Sequence, residues 1–210
     1  MVATIREKIR ALIEDELKSG FETFLYTTAN TFTVAQENIT VVTVLKNGIE
    51  LSEAEYSFDE VTNKITITPE SANALISGDI IEVDFTYYQY SNTELNNYIR
   101  AALVWISVYA YDDKDYELDE ESGQEDVIDP TPDNRTTDLI ALIVSIIIKP
   151  DYTQYRLPNV TVVYNGKIPK EIRIEKLISK FQTGLGVNEI IQFDVYSYWV
   201  RRKRYAGAHY

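Results

Sequence analysis

The chain has 210 residues, 45% of them hydrophobic, enough for one large domain or two small ones with a substantial core, and too many for general disorder. Its 20 lysines and arginines against 33 aspartates and glutamates give a net charge of −13, which argues against general binding to nucleic acid or an anionic membrane. No cysteine is present, which excludes disulfides, thiolate chemistry and cysteine-based metal sites together.

The first predicted element is an amphipathic helix. Thr4 and Glu7 stand as a capping box, Ile5, Ile9, Leu12, Ile13 and Leu17 share one face at helical spacing, and Gly20 is placed to stop it. Residues 1–10 are charged and lack the apolar stretch of a signal peptide, so export by that route is not expected.

Residues 39–90 read as strands. A β-branched alternating run at 40–46 leads to Asn47-Gly48, the pair that suits both positive-φ positions of a type I′ hairpin turn, and residues 49–51 return. Tyr56, Phe58, Ile65 and Ile67 flank Thr62-Asn63-Lys64, and Ser77-Gly78-Asp79 precedes Ile80, Ile81, Val83, Phe85, Tyr87 and Tyr88. Four or five short strands fit, enough for a small sheet with one buried face. Such a pattern fixes no function by itself.

A second helix is expected from Ser91, with Glu94 completing its capping box and Leu95, Ile99, Ala102, Leu103 and Ile106 as an apolar stripe that runs into Trp105 and Tyr109. Residues 112–129 follow with ten acids against Lys114 alone, then Pro130 and Pro132, which together predict a long exposed loop and an extended connector. Thr136 or Thr137 is placed to cap a third helix, apolar all round over 139–148. It is about half the roughly 20 residues a membrane span needs, and so reads as a core helix at the centre of a bundle. Residues 160–168, with Asn165-Gly166, predict a hairpin. Ile174, Leu177, Ile178 and Phe181 predict a fourth helix, whose start is ambiguous because residues 171–175 also alternate. Ile191, Phe193, Val195 and Trp199 alternate in a terminal strand, closed by the basic tail Arg201-Arg202-Lys203-Arg204.

Chemistry is sparse. The only histidine, His209, is penultimate, which speaks against a His-based triad or metal site. Gly184-Leu185-Gly186 begins a dinucleotide fingerprint, but Glu189 stands where the third glycine belongs. Asp113, Asp115 and Glu117 alternate as at the start of a calcium loop, yet Leu118 occupies the glycine position and Gln124 the closing acid, so a solvated charge run is the better reading. The same carboxylates lack the aromatic or basic partners of a glycosidase pair. No catalytic, cofactor-binding or metal-binding residue is therefore assigned. Tyr87, Tyr88 and Tyr90 are a candidate aromatic surface, and the asymmetry between the acidic loop and the basic tail suggests head-to-tail contacts between copies.

The helix, the second stripe helix ending near 105–111, the acidic loop leading into Val127-Ile128-Asp129-Pro130-Thr131-Pro132, the apolar helix and the 160–168 hairpin come in an order that resembles the head-tail connector, or adaptor, proteins of tailed bacteriophages. The β unit is similar to modules of phage virion proteins in its Asn-Gly turn, its Tyr-x-Phe-Asp string at 56–59 and its Gly-Asp-Ile-Ile-Glu-Val string at 78–83. The resemblance covers roughly residues 1–183.

It implies a non-enzymatic structural protein of the virion neck, assembled in the host cytoplasm. Such a protein forms a homo-oligomeric ring, a dodecamer in the family, between the portal and a tail or stopper protein, and genomic DNA passes through without specific binding. No cofactor and no membrane are implied. The expected fold is α+β: a helical bundle body (1–23 and 91–188), an inserted small antiparallel β domain (24–90), and a C-terminal β arm with its tail (189–210). Trp199, Arg201, Arg202, Lys203 and Arg204 are expected to bind the portal or a neighbouring subunit. Asp115, Glu117, Asp119, Glu120 and Glu121 are expected at the channel or subunit edge, and Tyr87, Tyr88 and Tyr90 on a tail- or capsid-facing surface. The alternative is a carbohydrate- or receptor-binding β module of a virion or surface protein that stacks ligands on those three tyrosines.

Overall fold

The computed structural model describes residues 1–60, 62–68, 75–120, 126–184 and 189–194. It divides into two compact units, one of Met1–Glu14 with Asn92–Tyr210, the other Asp15–Ser91.

The chain starts with helix α1 (Val2–Ile13), which buries Val2, Ile5, Ile9, Leu12 and Ile13 on one face. Its N-cap is Met1, without a side-chain cap, so Thr4 is inside the helix and the expected capping box is not formed. The helix also ends sooner than its stripe suggested. Glu14 takes the left-handed conformation (φ 59°) and its N–H bonds back to the Arg10 carbonyl. Leu17 is therefore exposed, and Gly20 lies in a strand.

The second unit is a sandwich of two sheets. Strands β1 (Lys18–Leu25), β2 (Thr31–Thr33), β3 (Ile39–Lys46), β4 (Ile49–Glu50), β5 (Tyr56–Asp59), β6 (Lys64–Ile67) and β7 (Ile80–Tyr87) pair in the orders β1-β7-β3-β4 and β2-β6-β5, all antiparallel. Alternation decides the faces: Val44, Ile81, Val83 and Phe85 from the first sheet meet Phe32, Ile65 and Ile67 from the second in one core. Asn47 (φ 49°) and Gly48 (φ 79°) make the tight turn between β3 and β4. The Asn47 side chain also holds the approach to β7, donating to Asp79 (2.8 Å) and accepting from the Ile80 N–H (2.9 Å). Gly20 faces its register partner Phe85, whose ring fills the space a Cβ would need, 2.6 Å away.

The first unit continues with α2 (Asn92–Val108), a two-stranded ribbon of β8 (Glu117–Asp119) and β9 (Val127–Asp129), and α3 (Asn134–Ile148). Next come β10 (Gln154–Arg156), β11 (Val160–Asn165), α4 (Lys170–Thr183) and β12 (Glu189–Asp194). Helix α3 packs against α1, α2 and α4 and is buried from Thr136 to Ile146, as its all-round apolar pattern requires. Its cap is Asp133, which accepts from the Thr136 N–H at 2.7 Å, and not Thr136 or Thr137.

Three expectations for this unit are overturned. Its body is not a helical bundle: among the described residues the chain carries four helices and twelve strands in four sheets, and two of those sheets belong here. The predicted hairpin at 160–168 is instead β11, paired antiparallel with β10 and parallel with β12, while Gly166 (φ 83°) and Pro169 turn the chain into α4. The terminal strand is therefore the third member of that sheet and not an arm, and residues 171–175 are helical. Buried Arg173 ties α4 to this sheet region: it donates to the carbonyls of Ile168 and Tyr152 (both 2.8 Å) and lies 4.8 Å from the Tyr164 ring centre. Among the described residues no helix is long and apolar enough to cross a membrane.

Candidate functional site

Helix α2 is apolar on two sides. Leu95, Ile99, Ala102, Leu103 and Ile106 enter the core. Ala101, Val104, Trp105 and Val108 form a second stripe at i, i+3, i+4 and i+7, with Val104 62% and Val108 70% exposed and the other two half-buried. Trp105 stacks on Tyr109 (5.6 Å between centres, 10° between planes), which stiffens that stripe. Gln182 of α4 donates to the carbonyls of Tyr109 (3.2 Å) and Ala110 (2.8 Å) and so caps the end of α2.

The acidic segment runs beside this stripe and is not the exposed loop its charge predicted. Tyr116, Leu118 and Ile128 are buried, and that apolar side holds the β8–β9 ribbon against the unit. The Tyr116 hydroxyl donates to Asp112 (2.7 Å), and burial followed by that bond pushes its pKa up, keeping the phenol neutral. Asp113, Asp115, Glu117 and Asp119 remain exposed. Leu118 points inward between Glu117 and Asp119, which alternate outward along β8. Between the end of α2 and β8 lies an open groove of about 430 Å³ whose walls include Val104, Ser107 and Val108 on one side and Asp115, Tyr116 and Glu117 on the other.

The ribbon is fastened by a polar network. Arg100 of α2 pairs with Glu120 at 2.5 Å, and buried Asn96 donates to both Glu120 and Asp126. Asp126 in turn pairs with Arg6 of α1 at 3.0 Å. Arg100 first, then Asn96, lowers the Glu120 pKa below the ordinary glutamate value. Sequence reasoning missed Arg6, Asn96 and Arg100, whose partners are distant along the chain, and it stopped short of counting Val104 and Val108 as a stripe.

Of the other expected site residues, Tyr87, Tyr88 and Tyr90 lie in the β sandwich, all half-buried. Tyr87 shares the inner face of its strand with Phe85 (ring centres 6.0 Å apart), and Tyr88 and Tyr90 follow just beyond the end of that strand. Glu121, Trp199, Arg201, Arg202, Lys203 and Arg204 lie outside the described residues. Comparison of the chain with protein-family models and with curated proteins returns no match.

Proposed function

We propose that the protein is a non-enzymatic structural component of a tailed-bacteriophage neck, a ring of identical copies that joins the portal to the tail or a stopper protein and continues the DNA channel. The observation that carries this reading is the second apolar stripe of α2. A helix apolar on two sides is ordinarily covered on both, and Val104 and Val108 stand uncovered beside a ribbon that the Arg6–Asp126 and Arg100–Glu120 pairs hold in place. Such a surface suits repeated contact between copies. The order of sequence elements that resembles adaptor proteins supplies the context, a twelve-membered ring included.

The charge suits a conduit. DNA that must slide should meet no cation-rich wall, because phosphate affinity rises with each neutralising lysine or arginine. A chain of net charge −13 meets that need, with Asp119 exposed on the ribbon and Asp115 and Glu117 at the subunit edge. Asn96 and Arg100 then act by positioning the ribbon.

Immunogold labelling of virions that carry this protein tests the assignment. Label confined to the vertex between head and tail is the expected result. Label over the capsid faces or at the tail tip contradicts it.

A further inference from the structure

The groove between α2 and β8 joins the apolar side chains of Leu103, Val104, Val108 and Leu118 to the carboxylates of Asp115 and Glu117. The cation that also lines it, Arg100, is already paired with Glu120, so the groove suits an occupant that is apolar or aromatic at one end and cationic at the other. Residues 195–204, outside the described residues, read Val-Tyr-Ser-Tyr-Trp-Val-Arg-Arg-Lys-Arg. They hold no acid and four consecutive cations in a chain otherwise dominated by carboxylates. Aromatic and arginine side chains are the ones that most often anchor protein interfaces.

The course of the chain favours a neighbouring copy as the source of this segment, since residues 195–199 would have to double straight back, fully extended, to bring Trp199 to their own groove. Gln182, near the end of α4, touches the end of α2. Strand β12 then runs back along α4: Glu189 pairs with Lys180 (2.6 Å), and Phe193 lies by Lys176, 5.8 Å from ring centre to ammonium. At about 3.3 Å per residue, the chain at Asp194 has moved roughly 16 Å from the end of α4 that meets α2. It heads away from its own groove.

We propose that residues 195–204 of one copy occupy the α2–β8 groove of a second copy, with Trp199 packed against Val104 and Val108 and with Arg201, Arg202, Lys203 and Arg204 against Asp113, Asp115 and Glu117. The contact is heterologous, each copy offering a segment to one neighbour and a groove to the other, and such contacts close into rings when the rotation permits. As the joint of a ring it rests on the proposed function, although the docking itself needs only two copies. The rim charges are exposed, so salt screens them over about 10 Å at 0.1 M ionic strength and weakens the contact.

Disulfide trapping between full-length chains tests it, helped by the absence of native cysteine. Differently tagged V104C and W199C proteins, each with unchanged far-UV circular dichroism, are mixed under a mild oxidant. An A11C protein, altered at an exposed residue of α1, replaces V104C in the control. The mixed V104C–W199C dimer is expected to exceed the control by about tenfold or more. Adding Asp115→Lys and Glu117→Lys to the V104C protein should bring it down to the control. Equal yields overturn the proposal, as does a V104C/W199C double variant that closes only within single chains. Ring formation on the portal is measured separately with the reduced proteins. A ring without the trap sinks this contact alone, and a trap without a ring sinks the proposed function alone.

Discussion

Arg6 and Asp126, 120 residues apart in the chain, meet at 3.0 Å, with side chains only 13% and 20% exposed. Because Asp126 also accepts from buried Asn96, which binds Glu120 as well, two helices together fix the residue after β8 and the residue before β9. Removing Asn96 leaves two carboxylates short of a donor. Asn96→Ala is expected to cost about 1.5–3 kcal/mol, the range for hydrogen bonds to charged groups. A lowered urea midpoint with an unchanged slope would show it, while an unaltered midpoint would refute it.

Acid should loosen the same region. Glu120 titrates below the ordinary glutamate value of 4.5 because of Arg100 and then Asn96, and Asp133 titrates below 3.8 chiefly through the Thr136 N–H. A carboxyl whose pKa is lowered on folding binds fewer protons in the folded chain than in the unfolded one. Its stabilisation is complete above the ordinary value and fades as pH falls through the folded one. Unfolding midpoints measured below about pH 4.5 should therefore converge for wild type and Glu120→Gln, and should differ at pH 7. Parallel curves across that window would contradict the assignment.

In the β sandwich the sharpest steric demand is at Gly20. A methyl group there meets the Phe85 ring at 2.6 Å, and that ring is itself in the core. Gly20→Ala is expected to destabilise by about 1–3 kcal/mol, as overpacking does. Combining it with Phe85→Leu should recover part of the loss, measurable as non-additive thermal midpoints.

Much of the local structure was legible in the sequence, and the failures share a cause. Asn47-Gly48 announced its turn because two positive-φ positions admit few residues, and α3 announced itself because an all-round apolar run has only one comfortable place. Leu17 misled because periodicity cannot see a left-handed cap at Glu14, a residue that seldom serves there. The 160–165 run reads as half of a hairpin with residues 167–168, whereas its partners are β10 before it and β12 beyond helix α4. Local patterns do not encode pairing across a helix. The acidic segment misled in part: most of its described carboxylates are exposed, as their charge suggests, but Tyr116, Leu118 and Ile128 bury its other side, and the clamp residues lie at positions 6, 96 and 100. Charge counts are blind to partners that distant.

The uncovered stripe separates association from folding. Val104 is 62% exposed, so Val104→Asp should move the unfolding free energy by no more than about 0.5 kcal/mol. The same change places a charge in a contact that has to be dry, and it should prevent copies from adding to one another. Light scattering at matched concentrations reads the second effect and urea titration the first. Loss of both together would mean that Val104 belongs to the core.

The mass of the protein purified alone and together with the portal of its virion, taken by native mass spectrometry, tests the central claim most directly. A discrete complex of one portal ring with a closed ring of this chain, twelve copies in the adaptor pattern, is the predicted result, whether or not the chain is monomeric alone. A chain that stays monomeric in the presence of assembled portal contradicts the account.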